Sequence, residues 1–434
     1  MLEDELQVLA AACARPKTRR VVIGFALIAA LLTANRADAQ VSIPARECLA
    51  DIQAVPAACP LAGIAIELPD LADTNPALND LLTDQPDTAA GLVFQQAAGL
   101  SQSLNSLMGG ISHNMAAQAL DLGLADVKGA GPTGGALVNG PLIASTPGSE
   151  LSMFTVSGVT KLSHDGYKSS SSIPGGNGRT PEFEEVDYGL TLGVRWDASN
   201  HFDLSKNTVT FGFIANYTHT EIDLGTNDAL AKYFDKTGSA DVDSWSVGSY
   251  GLVTDGRKYG LLTLTTTFGA PKTENAVLDS TAEYDTTGVA ASALSGVLIP
   301  VGAATTLDLR GGFNFVSASA GDYADSVGLN YSDAELEEIS GTVSARLFSV
   351  IKLEQGSFRP FIQSGLSQRL HYRNEVTVEG VKFSFDDADT TVFARAGIDF
   401  EIDRSMQAYV AVRGDANEAM EAIAAQVGLT FKLD

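Results

Sequence analysis

The chain has 434 residues, and its 28 basic against 53 acidic side chains leave a formal charge of −25. That balance excludes a nucleic-acid partner, which needs clustered Lys and Arg. The length admits one large unit such as a barrel, and 42 glycines suit a chain rich in turns and strands.

Arg15, Lys17, Arg19 and Arg20 precede the apolar run VVIGFALIAALLTA (Val21–Ala34). The run is shorter than the roughly 20 residues a membrane span needs. Ala37-Asp38-Ala39 then gives a small-x-small cleavage site, so residues 1–39 read as a signal peptide for Sec export, cut after Ala39. Cys13 leaves with it. Cys48 and Cys59 remain as a close pair, and in an exported protein such a pair is expected to form a disulfide loop rather than a metal site. The histidines (His113, His164, His201, His219 and His371) are scattered. No metal or other cofactor is expected.

Residues 40–87 form a short N-terminal region in which Pro44, Pro56, Pro60, Pro69, Pro76 and Pro86 block long helices. Over 88–127, Val93, Ala97, Leu100, Leu104, Leu107 and Ile111 recur at the spacing of one helix face. Gly109-Gly110 is expected to break that helix in two. Residues 128–150 are a Gly/Pro-rich linker.

From Leu151 the period changes to two. In VDYGLTLGVRW, Val186, Tyr188, Leu190, Leu192, Val194 and Trp196 alternate with Asp187, Gly189, Thr191, Gly193 and Arg195, giving one oily and one wet face. The pattern recurs in TVTFGFIANYTH, RKYGLLTLTTTFG, TTLDLRGGFNF and SFRPFIQSGLSQRLHYR. About twelve such segments, each about ten residues or longer, are separated by alternately short and long connections. Aromatics close both ends of the oily face, as Tyr188 with Trp196 and Phe358 with Tyr372 do. The expected fold is all-β: a twelve-stranded antiparallel transmembrane barrel over 151–434, preceded by the helical segment and the short loop-rich region. Outer-membrane lipid is the partner of the oily face, and the barrel is expected to be monomeric.

Particular stretches resemble a known family. SVGSYGLVTDGRKYGLLTLT (Ser246–Thr265) is similar to paired strands of the autotransporter β-domain, the outer-membrane barrel of type V secretion. FRPFIQSGLSQRLHY resembles a later strand of that family, and the stretch from Phe393 to Asp434 resembles its closing strands. The resemblance covers about residues 151–434. The C-terminus adds the pattern of the signal read by the barrel assembly machinery, carried here by Gln426, Gly428, Phe431 and Leu433, although the family usually ends on an aromatic and this chain ends Leu433-Asp434.

The resemblance implies a Gram-negative outer-membrane protein that anchors or exports its short N-terminal segment through a hydrophilic lumen. The 40–87 region is too short for the stacked rungs of a β-solenoid passenger. It holds no G-x-S-x-G, and His113 is the sole histidine of residues 40–150, so no enzyme is expected. A porin-like channel and an adhesin acting through long loops stay open as alternatives. Arg195, Arg310, Arg346, Arg359, Arg369, Arg373, Arg395 and Arg413 all fall on the wet phase and are expected to face one lumen. There they either pair with Asp187, Asp308, Glu354, Asp399, Glu401 and Asp415 to stabilise a wet interior or form a charged track without apolar contacts for an extended chain or the 88–127 helix.

The cysteine reading has its own test. Closing the Cys48–Cys59 loop should contribute about 2–3 kcal/mol in the chain-entropy model. Alkylation before and after reduction should then reveal two thiols only after reduction.

Overall fold

The computed structural model describes residues 75–85, 88–123, 127–129, 136–138, 151–198, 208–353, 357–402 and 406–433. Cleavage residues Ala37 and Ala39, the Cys48–Cys59 pair and most of the 128–150 linker lie outside those residues. Two helices come first, α1 (Pro76–Asp84) and α2 (Ala89–Gly123). Val127–Gly129 and Ala136–Val138 then pair as a small hairpin.

Twelve long strands follow among the described residues. They are β1 (Leu151–His164), β2 (Phe183–Asp197), β3 (Thr208–Leu224) and β4 (Gly238–Thr254). Next come β5 (Lys258–Asn275), β6 (Thr286–Pro300), β7 (Thr305–Ala320) and β8 (Asn330–Ser349). The last are β9 (Ser357–Val378), β10 (Thr390–Glu401), β11 (Met406–Ala416) and β12 (Met420–Leu433). Each pairs antiparallel with its neighbour, and β12 returns to β1 from Met420↔His164 to Leu433↔Leu151. The barrel is closed and has no edge.

Closure makes the alternation of VDYGLTLGVRW legible in space. Leu190 and Leu192 are 45% and 53% exposed on the outside, whereas Thr191 and Arg195, pointing inward, are 1% and 5% exposed. The outer band continues through Phe213, Trp245, Leu264, Phe313, Ile362 and Leu370. An apolar belt of that extent would be a liability in water; against hydrocarbon it is the stable arrangement.

The two rims differ. At one, all connections but β2–β3 are short, as at Asp255, whose Oδ1 accepts from the backbone N–H groups of Arg257 (2.8 Å) and Lys258 (2.7 Å). Those bonds, Lys258 first, hold its carboxyl below the usual range. The chain enters β1 and leaves β12 at this turn rim. At the opposite rim every connection except β11–β12 is longer, and several carry extra pieces. Val381–Asp386 pairs with the end of β9 through a tight turn in which Glu379 and Gly380 both take positive φ. The same segment also pairs with Lys168–Ser171, just beyond β1, making an arch over the short β11–β12 hairpin. Beneath it, the Asp165 N–H donates to the Ala419 carbonyl at 2.8 Å.

Inside the turn rim, inward aromatic rings lie flat over glycines of the adjacent strand. A Cβ on Gly193 would meet Phe154 at 2.0 Å, one on Gly212 would meet Tyr250 at 2.1 Å, and one on Gly428 would meet Tyr409 at 2.0 Å. The glycines that punctuate the wet face are seats for these rings.

Two expectations fail. Helix α2 runs unbroken through Gly109-Gly110. Gly109 is there for space, since a Cβ would lie 2.8 Å from Val316 Cγ1 and 3.0 Å from Leu336 Cδ2. In β9, pairing shifts from Ile339↔His371 to Ser340↔Arg369, leaving Leu370 as the extra residue of a bulge. A bulge reverses the facing of everything beyond it. Tyr372 therefore turns inward, and His371 and Arg373 turn out to the exposed side.

If the outer belt meets lipid, Leu366→Arg should cost about 2–4 kcal/mol of barrel stability, and Ser367→Arg, facing the lumen, much less. Denaturant titration of heat-modifiable barrel in lipid measures both. Equal losses would point to a fold packed on both faces.

Candidate functional site

The lumen is built in three levels. Nearest the turn rim, Arg195, Arg310, Arg346 and Arg359 all point inward and are buried. Arg359 Nε donates to Asp399 at 3.1 Å, and Arg346 reaches the same carboxylate at 3.5 Å while lying 3.6 Å above the Phe361 ring. Arg310 pairs with Asp308, which also accepts from Tyr259 OH at 2.8 Å. Arg195 donates to Ser152 Oγ at 3.2 Å. In so dry a place each charge needs a charged or hydrogen-bonded neighbour, and a carboxylate shared between two guanidiniums supplies it.

The middle level is a cavity of about 380 Å³ lined by α2 and by the strands from β7 through β12 and on round the seam to β3. Arg369, Arg395 and Arg413 line it. Arg413 grips Asp415 with both arms, at 2.8 and 2.6 Å. Arg369 holds Glu338 at 3.0 Å, Asp387 at 3.3 Å and the Ala388 carbonyl at 2.8 Å. Asp387 also meets His164 at 3.3 Å. Arg395 donates to Gln426 of β12 at 3.4 Å.

The upper level is not a charged track. The loop-side ends of the strands, with the long loops, form an apolar collar around α2. Val93, Phe94, Ala97, Leu100, Leu104, Leu107, Met108 and Ile111 are buried against residues such as Leu230, Phe234, Val277, Leu336, Val376 and Phe383. The predicted helix face is thus correct, but the opposite face is buried too. There Gln95 Nε2 donates to Ser169 Oγ at 2.5 Å and Gln96 Nε2 to the Thr237 carbonyl at 3.0 Å, while Gln102 reaches the Glu375 carbonyl. Helix α1 sits on the same collar through Leu78 and Leu81, with Asn75 Nδ2 donating to the Val277 carbonyl at 3.0 Å and Asp84 paired to Lys232. The hydrogen bond from Lys232 holds the Asp84 carboxyl below its ordinary value. No described helix is long and apolar enough to cross a membrane. At 35 residues, α2 is about 52 Å long, enough to traverse the lumen.

Seven of the eight predicted arginines therefore share the interior, and Arg373 does not. It lies outside, 44% exposed, bonded to Glu335 and Glu375. The barrel thus holds part of its own upstream helix in the lumen. A family model described as the autotransporter beta-domain matches residues 165–413, more than half of the chain. The chain belongs to the autotransporter β-domain family.

The chain is similar to the transport unit of the autotransporter AIDA-I from Escherichia coli, at 13% identity and a TM-score of 0.51, over 67% of this chain and 93% of that one. It also aligns with the β-domain of the Bordetella autotransporter Brka (16% identity, TM-score 0.48, 65% and 99% covered). The translocator domain of NalP from Neisseria meningitidis aligns at 17% identity with a TM-score of 0.48, covering 67% and 90%. No curated protein matches the chain.

Family membership puts this autotransporter barrel in the outer membrane. Its C-terminal pattern falls on β12 with Gln426 and Gly428 inward and Phe431 outward, 41% exposed; the Leu433 side chain lies outside the described set. Sequence reasoning missed the inward aromatics Phe154, Tyr250, Phe348, Phe361 and Tyr409 as a group. For all of these but Phe348 the signal was present as a glycine on the neighbouring strand, but only the register shows which ring covers which glycine.

The two arginines flanking the bulge make a direct comparison. Arg369→Gln takes the cation from Glu338 and leaves Asp387 with His164 alone, and should cost about 2–4 kcal/mol. Arg373→Gln removes an exposed pair and should cost less than about 1 kcal/mol. Urea midpoints of the two purified variants would measure the difference.

Proposed function

We propose that this autotransporter barrel passes its own N-terminal segment, residues 40–87, outward through the lumen and holds it at the cell surface without catalysing a reaction. One observation carries the reading: the path of the chain. Helix α1 is docked at the long-loop rim, α2 runs from there into the lumen, where Gly109, Gly110 and Ile111 border the cavity, and β1 begins at the turn rim. Long loops mark the outer face of an outer-membrane barrel and short turns the inner face. Asn75 thus stands on the outer side, and in this reading the exported segment would be displayed from there. After export, α2 would stay as the stem of the anchored segment.

The supporting steps follow from sequence features. Residues 1–39 would direct export by Sec, and the β12 pattern ending in Phe431 and Leu433 would be presented to the barrel assembly machinery. The closed outer belt is consistent with a monomer in lipid. A helix bedded in the lumen also weighs against an open porin.

An epitope placed after Pro60 provides the test. Antibody or added protease should reach it on intact cells, with the barrel still heat-modifiable. Reactivity that emerges only after the outer membrane is permeabilised would place the segment in the periplasm and sink the export reading.

A further inference from the structure

We infer that Gly91 and Gly109 set the depth at which α2 comes to rest, so that the exported chain halts in one register. The inference rests on the export reading and adds what stops the movement.

Glycine is a poor residue for a helix interior. Yet the interior of α2, short of its terminal Gly123, contains Gly91, Gly99, Gly109 and Gly110. Their surroundings separate them. A Cβ on Gly91 would lie 1.9 Å from the Pro174 carbonyl oxygen and 2.7 Å from the Gly176 nitrogen, both backbone atoms that cannot rotate aside. A Cβ on Gly109 would lie 2.8 Å from Val316 Cγ1, a stiff β-branched side chain on β7. Gly99 meets only the Thr180 side chain, at 3.1 Å, and Gly110 has nothing within 4 Å and borders the cavity.

Gly91 and Gly109 are separated by about five full turns, which puts both on one line of the helix surface. They form two keys on a single edge, one under the loop at Pro174 and one against the β7–β8 wall. Sliding the chain changes which residues meet those two points. One residue outward presents Leu92 and Gly110, and four residues outward present Gln95 and His113. Eight outward present Gly99 and Ala117, and eighteen present Gly109 and Val127. Only the observed register gives glycine at both points. The bonds from Gln95 to Ser169, from Gln96 to the Thr237 carbonyl and from Gln102 to Glu375 are made in this register as well. A slip of one turn would lose all three together. A helix moving through the lumen therefore meets one position at which tight packing and buried polar bonds are satisfied at once.

Paired cysteines in the full-length protein in cells can read the register. In a Cys48→Ser, Cys59→Ser background, Gln95→Cys with Ser169→Cys should cross-link on mild oxidation. Gly91→Leu and Gly109→Leu should each lower the cross-linked fraction about tenfold, because overpacking shifts a seated-versus-slipped equilibrium by that order. Gly110→Leu should leave it unchanged. Full cross-linking in both Gly91→Leu and Gly109→Leu overturns the inference, and so does equal loss in Gly110→Leu, which would mark a general effect on the helix. Heat-modifiability confirms that each barrel has assembled. Should Gly109→Leu fail to assemble, Gly91→Leu decides alone, since it touches a loop and not the wall. The epitope after Pro60 is scored in the same cells. An epitope hidden in the parent protein refutes export, whereas an exposed epitope with unaltered cross-linking in Gly91→Leu and Gly109→Leu refutes the stop.

Discussion

Hydrocarbon offers a peptide group no hydrogen-bond partner, and most of this molecule follows from that constraint. An open sheet would leave two rows of N–H and C=O groups facing lipid. Joining β12 to β1 removes both rows. Once the ladder is closed, alternate side chains have only two destinations, lipid or lumen, and a strand must satisfy both with a period of two. Leu190 and Leu192 go one way and Thr191 and Arg195 the other.

The lumen is then solved differently at different heights. Near the turn rim, guanidiniums share carboxylates such as Asp399 among packed aromatics, so the interior there is polar yet dry. Beyond the membrane band the strands continue as a collar whose outer face is polar and whose inner face is a protein core. Leu336 and Val376 face α2 inside it, while Glu335 and Arg373 face outward. The helix is held mainly in that collar, by apolar burial supplemented with a few amide bonds.

Period and composition made the barrel readable: the segments expected as strands all fall on β1 to β12. What stayed hidden had specific physical causes. Strand β8 starts at Asn330, ahead of any visible alternation, because the outward positions of NYSDAELEE lie above the lipid and carry acids that look like loop. The bulge at Leu370 cannot be counted from β9 alone, since it exists only relative to β8, and it moved Arg373 and Tyr372 to faces opposite those expected. Gly109-Gly110 looked like a break because local propensity argues for one; the closeness of Val316 and Leu336 is a property of the docked helix. The inward phase of the other seven arginines was legible, but their grouping into a dry belt and a cavity wall required the register.

The arch between Lys168–Ser171 and Val381–Asp386 bears on the order in which the barrel is put together. It ties the beginning of the sheet to its ninth strand above the β11–β12 hairpin, whose tip is bonded beneath it through Ala419. A strap of that kind cannot precede what it covers without barring its entry. The last hairpin must therefore be in place, and the seam with β1 aligned, before the strap is fastened, so the arch records that circular closure is complete.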